Sequence, residues 1–308
     1  MPDPSVDPDP HHMDLAERWA ALPGNVRGGI LFITAAAIFS VMISLIKLAG
    51  QRLHVTEILF FRQLVMVSIA LPAIISGWPG SMQSARPRLQ LLRVGLAFTA
   101  MTLGFAAVIE LPLAEATVIS FSRTFFTTVL AIVILSEVVR LPRWTGLLFG
   151  FSGVLIVIWP DQTSSFNHWH LMALGSAVCV AVVSIVIRIL AQLDQPVTIL
   201  TYQALGVGLL MFGPMLWFWK TPTLFEAGIL VAIGALSAVA QYLNILAFKA
   251  GEASALAPLE YSRLLFTTVL GLWLFAEWPE PRVWLGAAII VMAALYVMHR
   301  ERQAAKRL

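Results

Sequence analysis

Residues 122–137 read SRTFFTTVLAIVILSE, and residues 262–277 read SRLLFTTVLGLWLFAE. At a constant offset of 140, Ser122, Arg123, Phe126, Thr127, Thr128, Val129, Leu130 and Glu137 match Ser262, Arg263, Phe266, Thr267, Thr268, Val269, Leu270 and Glu277. Eight identities in sixteen exceed what two apolar segments share through composition alone. Trp144/Trp284 and Gly146/Gly286 continue the register. A weaker echo joins Ser44 and Lys47 to Ser184 and Arg188, with the basic pair one residue out of step. The chain therefore reads as one unit written twice.

The repeated unit is too apolar for water. Of 308 residues, 59% are apolar and 12% charged, against roughly half and a quarter in soluble domains. Spans that could cross a bilayer fall near residues 28–50, 55–77, 91–110, 114–136, 144–160, 169–191, 197–219, 225–248, 254–276 and 284–299. A helix needs about 20 apolar residues to cross. Proline and glycine breaks such as Pro79-Gly80, Leu111-Pro112 and Pro160-Asp161 separate them. Trp78, Trp144, Trp159, Trp169, Trp217, Trp219, Trp278 and Trp284 sit at span ends, where amphipathic rings prefer the headgroup level. The expected fold is an all-α membrane protein of ten transmembrane helices. Residues 1–27 form a cytoplasmic tail, 28–160 the first five-helix repeat, 161–299 the second, and 300–308 a basic cytoplasmic tail. Five is odd, so the repeats are inverted. Halves of this kind are typical of secondary transporters; the bland alternative is a duplication kept for packing.

Basic residues set the orientation. With the N-terminus inside, inner segments carry 13 Lys/Arg and outer segments 4. A cytoplasmic excess of these residues fixes topology, so both termini are expected inside an inner (cytoplasmic) membrane. The Pro/Asp-rich start lacks a basic, apolar leader. The amphipathic stretch from Met13 to Leu22 is expected to lie on the membrane surface. The net charge of +3 is no sign of nucleic-acid binding. The one cysteine, Cys179, has no metal-ligand neighbours in sequence, and no Walker loop, Ser/His/Asp set, CxxC pair or HExxH is present. No enzyme, cofactor or metal site is expected.

Three arginines, Arg62, Arg123 and Arg263, fall within spans. The latter two lie roughly 13 Å deep at 1.5 Å per residue. A charge there normally faces a cavity or a partner. Ser120, Arg123 and Thr127 share one helical face; Glu260, Arg263 and Thr267 share the homologous one. Ser120 has become Glu260, so Glu260 breaks the symmetry. It either takes up a proton during transport or neutralises one of the arginines. Pro258 could bend the helix beside it. Arg62 could partly snorkel outward. Tyr202, Gln203, Gln241, Tyr242 and Asn244 are further polar candidates for binding, or polar glue between helices. Glu137 and Glu277 read as turn caps or as partners of nearby loop arginines rather than as ligand contacts. Gly146, Gly150 and Gly153, with Gly286, Ala287 and Ala288, form close-approach surfaces within the fold or in a homodimer.

These residues resemble the EamA-type members of the drug/metabolite transporter superfamily over about residues 28–300. The likeness is carried by Glu57, Phe60 and Arg62; by LPLAEATVISF at 111–121; by Glu137, Trp144 and Gly146; by AFKAGEASALAPLEYSRLLF at 247–266; and by Glu277, Trp284 and Gly286. The second-half run looks like the branch with S-adenosylmethionine uptake carriers. The resemblance implies a ten-helix basket, a central cavity near spans three, four, eight and nine, and no ATP use. The function expected is secondary-active, alternating-access transport of a small organic metabolite, amino-acid-like or otherwise zwitterionic or carboxylate-bearing. Uptake of S-adenosylmethionine or a related nucleoside-like solute is the alternative, and a non-transporting sensor or pore is the reading from another class. Partners expected are a small organic solute and membrane lipid.

Overall fold

The computed structural model describes residue 19 and residues 22–77, 79, 83–135, 141–159, 167–190, 192–194, 196–251 and 256–305. Most of Met13–Leu22, Trp78, Gly80, Glu137, Arg140, Pro160, Asp161, Lys306 and Arg307 lie outside the described residues, as do the side chains of Arg188 and Pro258. Eleven α-helices are described: α1 Gly24–Gly50, α2 Val55–Ser76, α3 Pro87–Glu110, α4 Leu113–Ser120, α5 Ser122–Leu135, α6 Leu141–Ile158, α7 His168–Leu190, α8 Pro196–Trp217, α9 Leu224–Ala250, α10 Ser262–Phe275 and α11 Pro281–Ala305. A 3₁₀ turn, Ala257–Tyr261, leads into α10.

The chain folds as an all-α membrane protein. Gly24–Gly50, Pro87–Glu110, Leu113–Ile134, His168–Ile187 and Leu224–Ala250 are long and apolar enough to cross a bilayer by length and composition. Large apolar side chains point outward, among them Val133 at 72% exposure and Leu209 at 75%. In water such a surface would aggregate; in lipid it is solvated. With α4–α5 and the 3₁₀ turn–α10 each taken as one broken rod, the described helices form ten rods. α11 runs past the expected end at 299 to Ala305, because HRERQAA is built of good helix formers with no breaker.

Local chemistry explains several ends. Pro112 precedes α4 and restricts the residue before it to extended backbone; Leu111 takes ψ 155 and ends α3. Thr223 and Glu226 form a capping box at the start of α9. α10 stops at Ala276, whose φ of 54 is left-handed. That turn sends Glu277 back along the bundle. Pro72 and Pro214 lie inside α2 and α8, as membrane helices tolerate.

The helix pairings repeat with the halves exchanged. α1 packs on α9 as α3 packs on α7, and α10 packs on α1 as α5 packs on α7. α2 pairs with α8, and α6 with α11. Each pair joins partners that an approximate two-fold axis would exchange. Phe121 and Tyr261, which are 140 residues apart, touch edge to face at 5.0 Å, so that axis passes between them. The close-approach glycines meet within the fold: a Cβ at Gly153 would come 2.6 Å from the Gly286 carbonyl oxygen. Only bare backbone lets α6 and α11 approach this closely.

Candidate functional site

Both half-repeats break at the same place. α4 ends at Ser120 and α5 begins at Ser122, while the 3₁₀ turn ends at Tyr261 and α10 begins at Ser262. Arg263 Nη2 donates to Ser120 Oγ at 3.0 Å. Arg123 forms an ion pair with Glu260. Shifting either contact by 140 residues gives the other, so the two form a crossed pair about the axis. The arginines that sequence placed at equal depth thus border one cavity, and Glu260 is the counter-ion of Arg123.

A cavity of about 190 Å³ opens beside this cross. Ser120, Arg123 and Arg263 border it, with Phe39 from α1, Phe105 from α3 and Ser176 from α7. Its wall is mostly apolar, and among the described residues no Asp or Glu lines it. Its hydroxyls are engaged: Thr117 donates to the Leu113 carbonyl at 2.7 Å, Ser120 to Thr117 at 2.7 Å and Ser176 to Ala100 at 2.7 Å. The Arg263 guanidinium lies 5.4 Å from the rings of both Phe39 and Phe121, and its Nε has no hydrogen-bond partner. Cation–π contact offsets part of the cost of holding that charge away from water.

Other expected residues lie elsewhere. Thr267 is fully buried and donates to the carbonyls of Arg263 and Leu264 on its own helix. Thr127, Gln241, Asn244 and Tyr202 do not border the cavity; Asn244 is exposed, and Tyr202 packs against the Val55–Leu59–Val94 cluster. Arg62 does not snorkel. It turns inward, where Nε donates to Ser237 at 2.8 Å and Nη1 to Gln63 at 2.9 Å. An inward hydroxyl and amide satisfy the guanidinium better than the distant interface. Span eight, which is α9, supplies no cavity residue, because it packs on α1; α1 and α7 line the cavity instead.

Two charged clusters lie away from the cross; the partner of Glu277 is not a loop arginine but Lys47 within α1. Lys47 pairs with Glu277 and donates to the Leu111 carbonyl at 2.6 Å. Glu277 in turn accepts from Leu113 N at 2.9 Å, which caps α4. This knot lies one helical turn beyond the cavity residue Ile43. Glu115, buried in α4, accepts from or donates to His170 Nε2 at 3.0 Å, with Arg282 3.8 Å away. The LPLAE run held the only sequence signal for Glu115, an acid amid apolar residues.

Loops from opposite halves are also tied. Arg52 pairs with Glu226 and donates to the Thr221 carbonyl at 3.0 Å. Asp194 accepts from Ser84 Oγ at 2.5 Å, Ala85 N at 2.8 Å and Gln90 Nε2 at 2.8 Å. Burial alone would raise the Asp194 carboxyl, but these three hydrogen bonds outweigh it and hold it below the usual range.

A helical bundle in lipid, with a polar cross at the centre of a two-fold pairing, is an arrangement that multi-pass small-molecule transporters use. The chain belongs to the EamA-like transporter family, which matches residues 26–159 and 167–298. It is 30% identical over 258 residues to an S-adenosylmethionine uptake transporter of Rickettsia bellii (strain RML369-C), covering 84% of this chain and 88% of the relative. It is 31% identical over 274 residues to the pseudopaline exporter CntI of Pseudomonas aeruginosa (strain UCBPP-PA14), covering 87% and 94%. A riboflavin transporter of Brucella anthropi is 27% identical over 263 residues, covering 82% and 92%. A crystal structure at 17% identity covers 91% of this chain and 99% of its own, with a TM-score of 0.65. That likeness concerns the fold alone.

Proposed function

We propose that this chain is a secondary-active carrier that moves a small carboxylate-bearing metabolite by alternating access. Its ten rods each cross the membrane, the two five-helix halves are inverted, and both termini face the cytoplasm of an inner membrane. The observation that carries the reading is the crossed contact of Arg263 with Ser120 and Arg123 with Glu260, shared between halves, with Ser120 and both arginines at the cavity wall. A site made of both halves is rebuilt when they rock against each other. The guanidiniums offer paired donors to a carboxylate. At about 190 Å³ the cavity is smaller than the roughly 300–1,000 Å³ of typical ligand sites, so it widens when it takes up a larger solute.

The test is uptake into proteoliposomes from a labelled metabolite panel that includes amino acids, organic acids, riboflavin and S-adenosylmethionine. Saturable uptake of a carboxylate solute, lost in Arg123→Ala, is expected. Uptake restricted to permanent cations and untouched by that change would contradict the reading. S-adenosylmethionine uptake is the second reading, favoured by the Rickettsia relatives; the same panel decides it.

A further inference from the structure

The crossed pair at the centre is incomplete in one arm. Ser120 and Glu260 are equivalent positions, as are Arg123 and Arg263. On one arm Arg123 meets a carboxylate. On the other, Arg263 meets only a hydroxyl, and that hydroxyl donates its proton to Thr117. Among the described residues no carboxylate pairs with Arg263, and its Nε is unpartnered. The four residues therefore carry one net positive charge.

The surroundings add to that charge rather than cancel it. Phe105 lines the cavity, and Arg62 stands 6.0 Å behind its ring, bonded to Ser237 and Gln63 but to no carboxylate. An ammonium group entering the cavity would find neutral acceptors only. To reach Glu260 it would have to displace Arg123 and leave that guanidinium without its carboxylate partner, which is unfavourable. The remaining wall, from Phe39 and Ile43 to Met101, Phe105 and Val108, is apolar or aromatic.

Resting on the carrier reading above, we propose that the missing carboxylate of the cross is supplied by the solute: the preferred cargo is an organic monoanion with an apolar body and no free amino group. Its acid group takes the place that a glutamate at position 120 would occupy. Its apolar part lies against Phe39 and Phe105.

The test is binding to the purified protein of four solutes that share one body and differ in charge: 3-phenylpropanoate, phenylalanine, 3-phenylpropan-1-ol and 2-phenylethylamine. Thermal stabilisation over a titration reports each affinity. The acid is expected to bind at least about tenfold more tightly than the other three. Ser120→Glu is expected to remove that preference while the alcohol still binds, and to leave the ligand-free melting temperature unchanged or higher. Arg263→Gln is expected to remove the preference as well, and it stands as the second variant should Ser120→Glu not fold. Equal or tighter binding of phenylalanine or 2-phenylethylamine would overturn the proposal. So would binding by none of the four, or an acid preference that survives both variants. Such failure leaves carriage itself to be judged by the metabolite panel, where uptake of a zwitterion or cation would keep the carrier and discard the monoanion.

Discussion

Ser120 and Glu260 hold the same position in two copies of one helix, and that difference leaves Arg263 facing a hydroxyl where Arg123 faces a carboxylate. The offset of 140 made this asymmetry legible before any coordinates. It also located the arginines. The direction of each side chain was not legible, because helical spacing gives a face but not the neighbour that face meets. Arg62 shows this: only the position of Ser237 on a distant helix explains why it turns inward. Asp194 is a residue whose role is purely tertiary. Its carboxyl is held below the ordinary range of about 3.9, so it stabilises the fold when ionised. That contribution is full above the unfolded value and fades as pH falls through the folded one. Melting curves of wild type and Asp194→Asn in detergent should differ clearly at pH 6 and converge below about pH 4. A gap that widens toward low pH would contradict the sign.

At the scale of elements, the glycine-lined contact of α6 with α11 follows from sequence once the pairing is known, whereas the break at 121 falls in a stretch with no proline or glycine and was not legible. The glycine pattern alone left open whether the surface met itself or another copy. The backbone approach of Gly153 to Gly286 answers that for these two helices. Gly153→Leu is expected to force α6 and α11 apart, and overpacking of this kind costs about 1–3 kcal/mol or more. A lower melting temperature without a change in the oligomer eluting from a sizing column would check it. The Lys47–Glu277 knot ties α1 and the end of α10 to the α3–α4 break. Its side chains are 8% and 20% exposed, so the pair is nearly buried. Breaking such a pair costs about 3–5 kcal/mol when fully enclosed, and the lower end of that range is expected for Lys47→Gln or Glu277→Gln. The exchange Lys47→Glu with Glu277→Lys should recover part of the loss. No recovery would mean that the capping of α4 by Glu277, rather than the charge pair, carries the stability.

For the whole molecule, the apolar composition and the duplication established a two-part membrane bundle, and the exchange of partners between halves gives that duplication a geometry. The expected cavity helices were partly misplaced. Resemblance pointed to α9, whereas α1 and α7 join α3, α4, α5 and α10 in the wall and α9 is occupied against α1. Nothing in the apolar pattern of α9 distinguishes a cavity face from a packing face, since both are lined by small and aliphatic residues. The proposed inversion of the halves leads to one functional demand: the central site must face each side in turn, and never both. Counterflow in proteoliposomes tests this most directly. Vesicles preloaded with an unlabelled carboxylate solute that stabilises the protein are diluted into the same solute carrying a label. A transient accumulation of label above equilibrium, saturating with concentration and absent in Arg263→Gln, is the expected result. Entry that rises linearly with concentration and ignores preloading, or binding with no entry at all, would contradict a carrier that alternates.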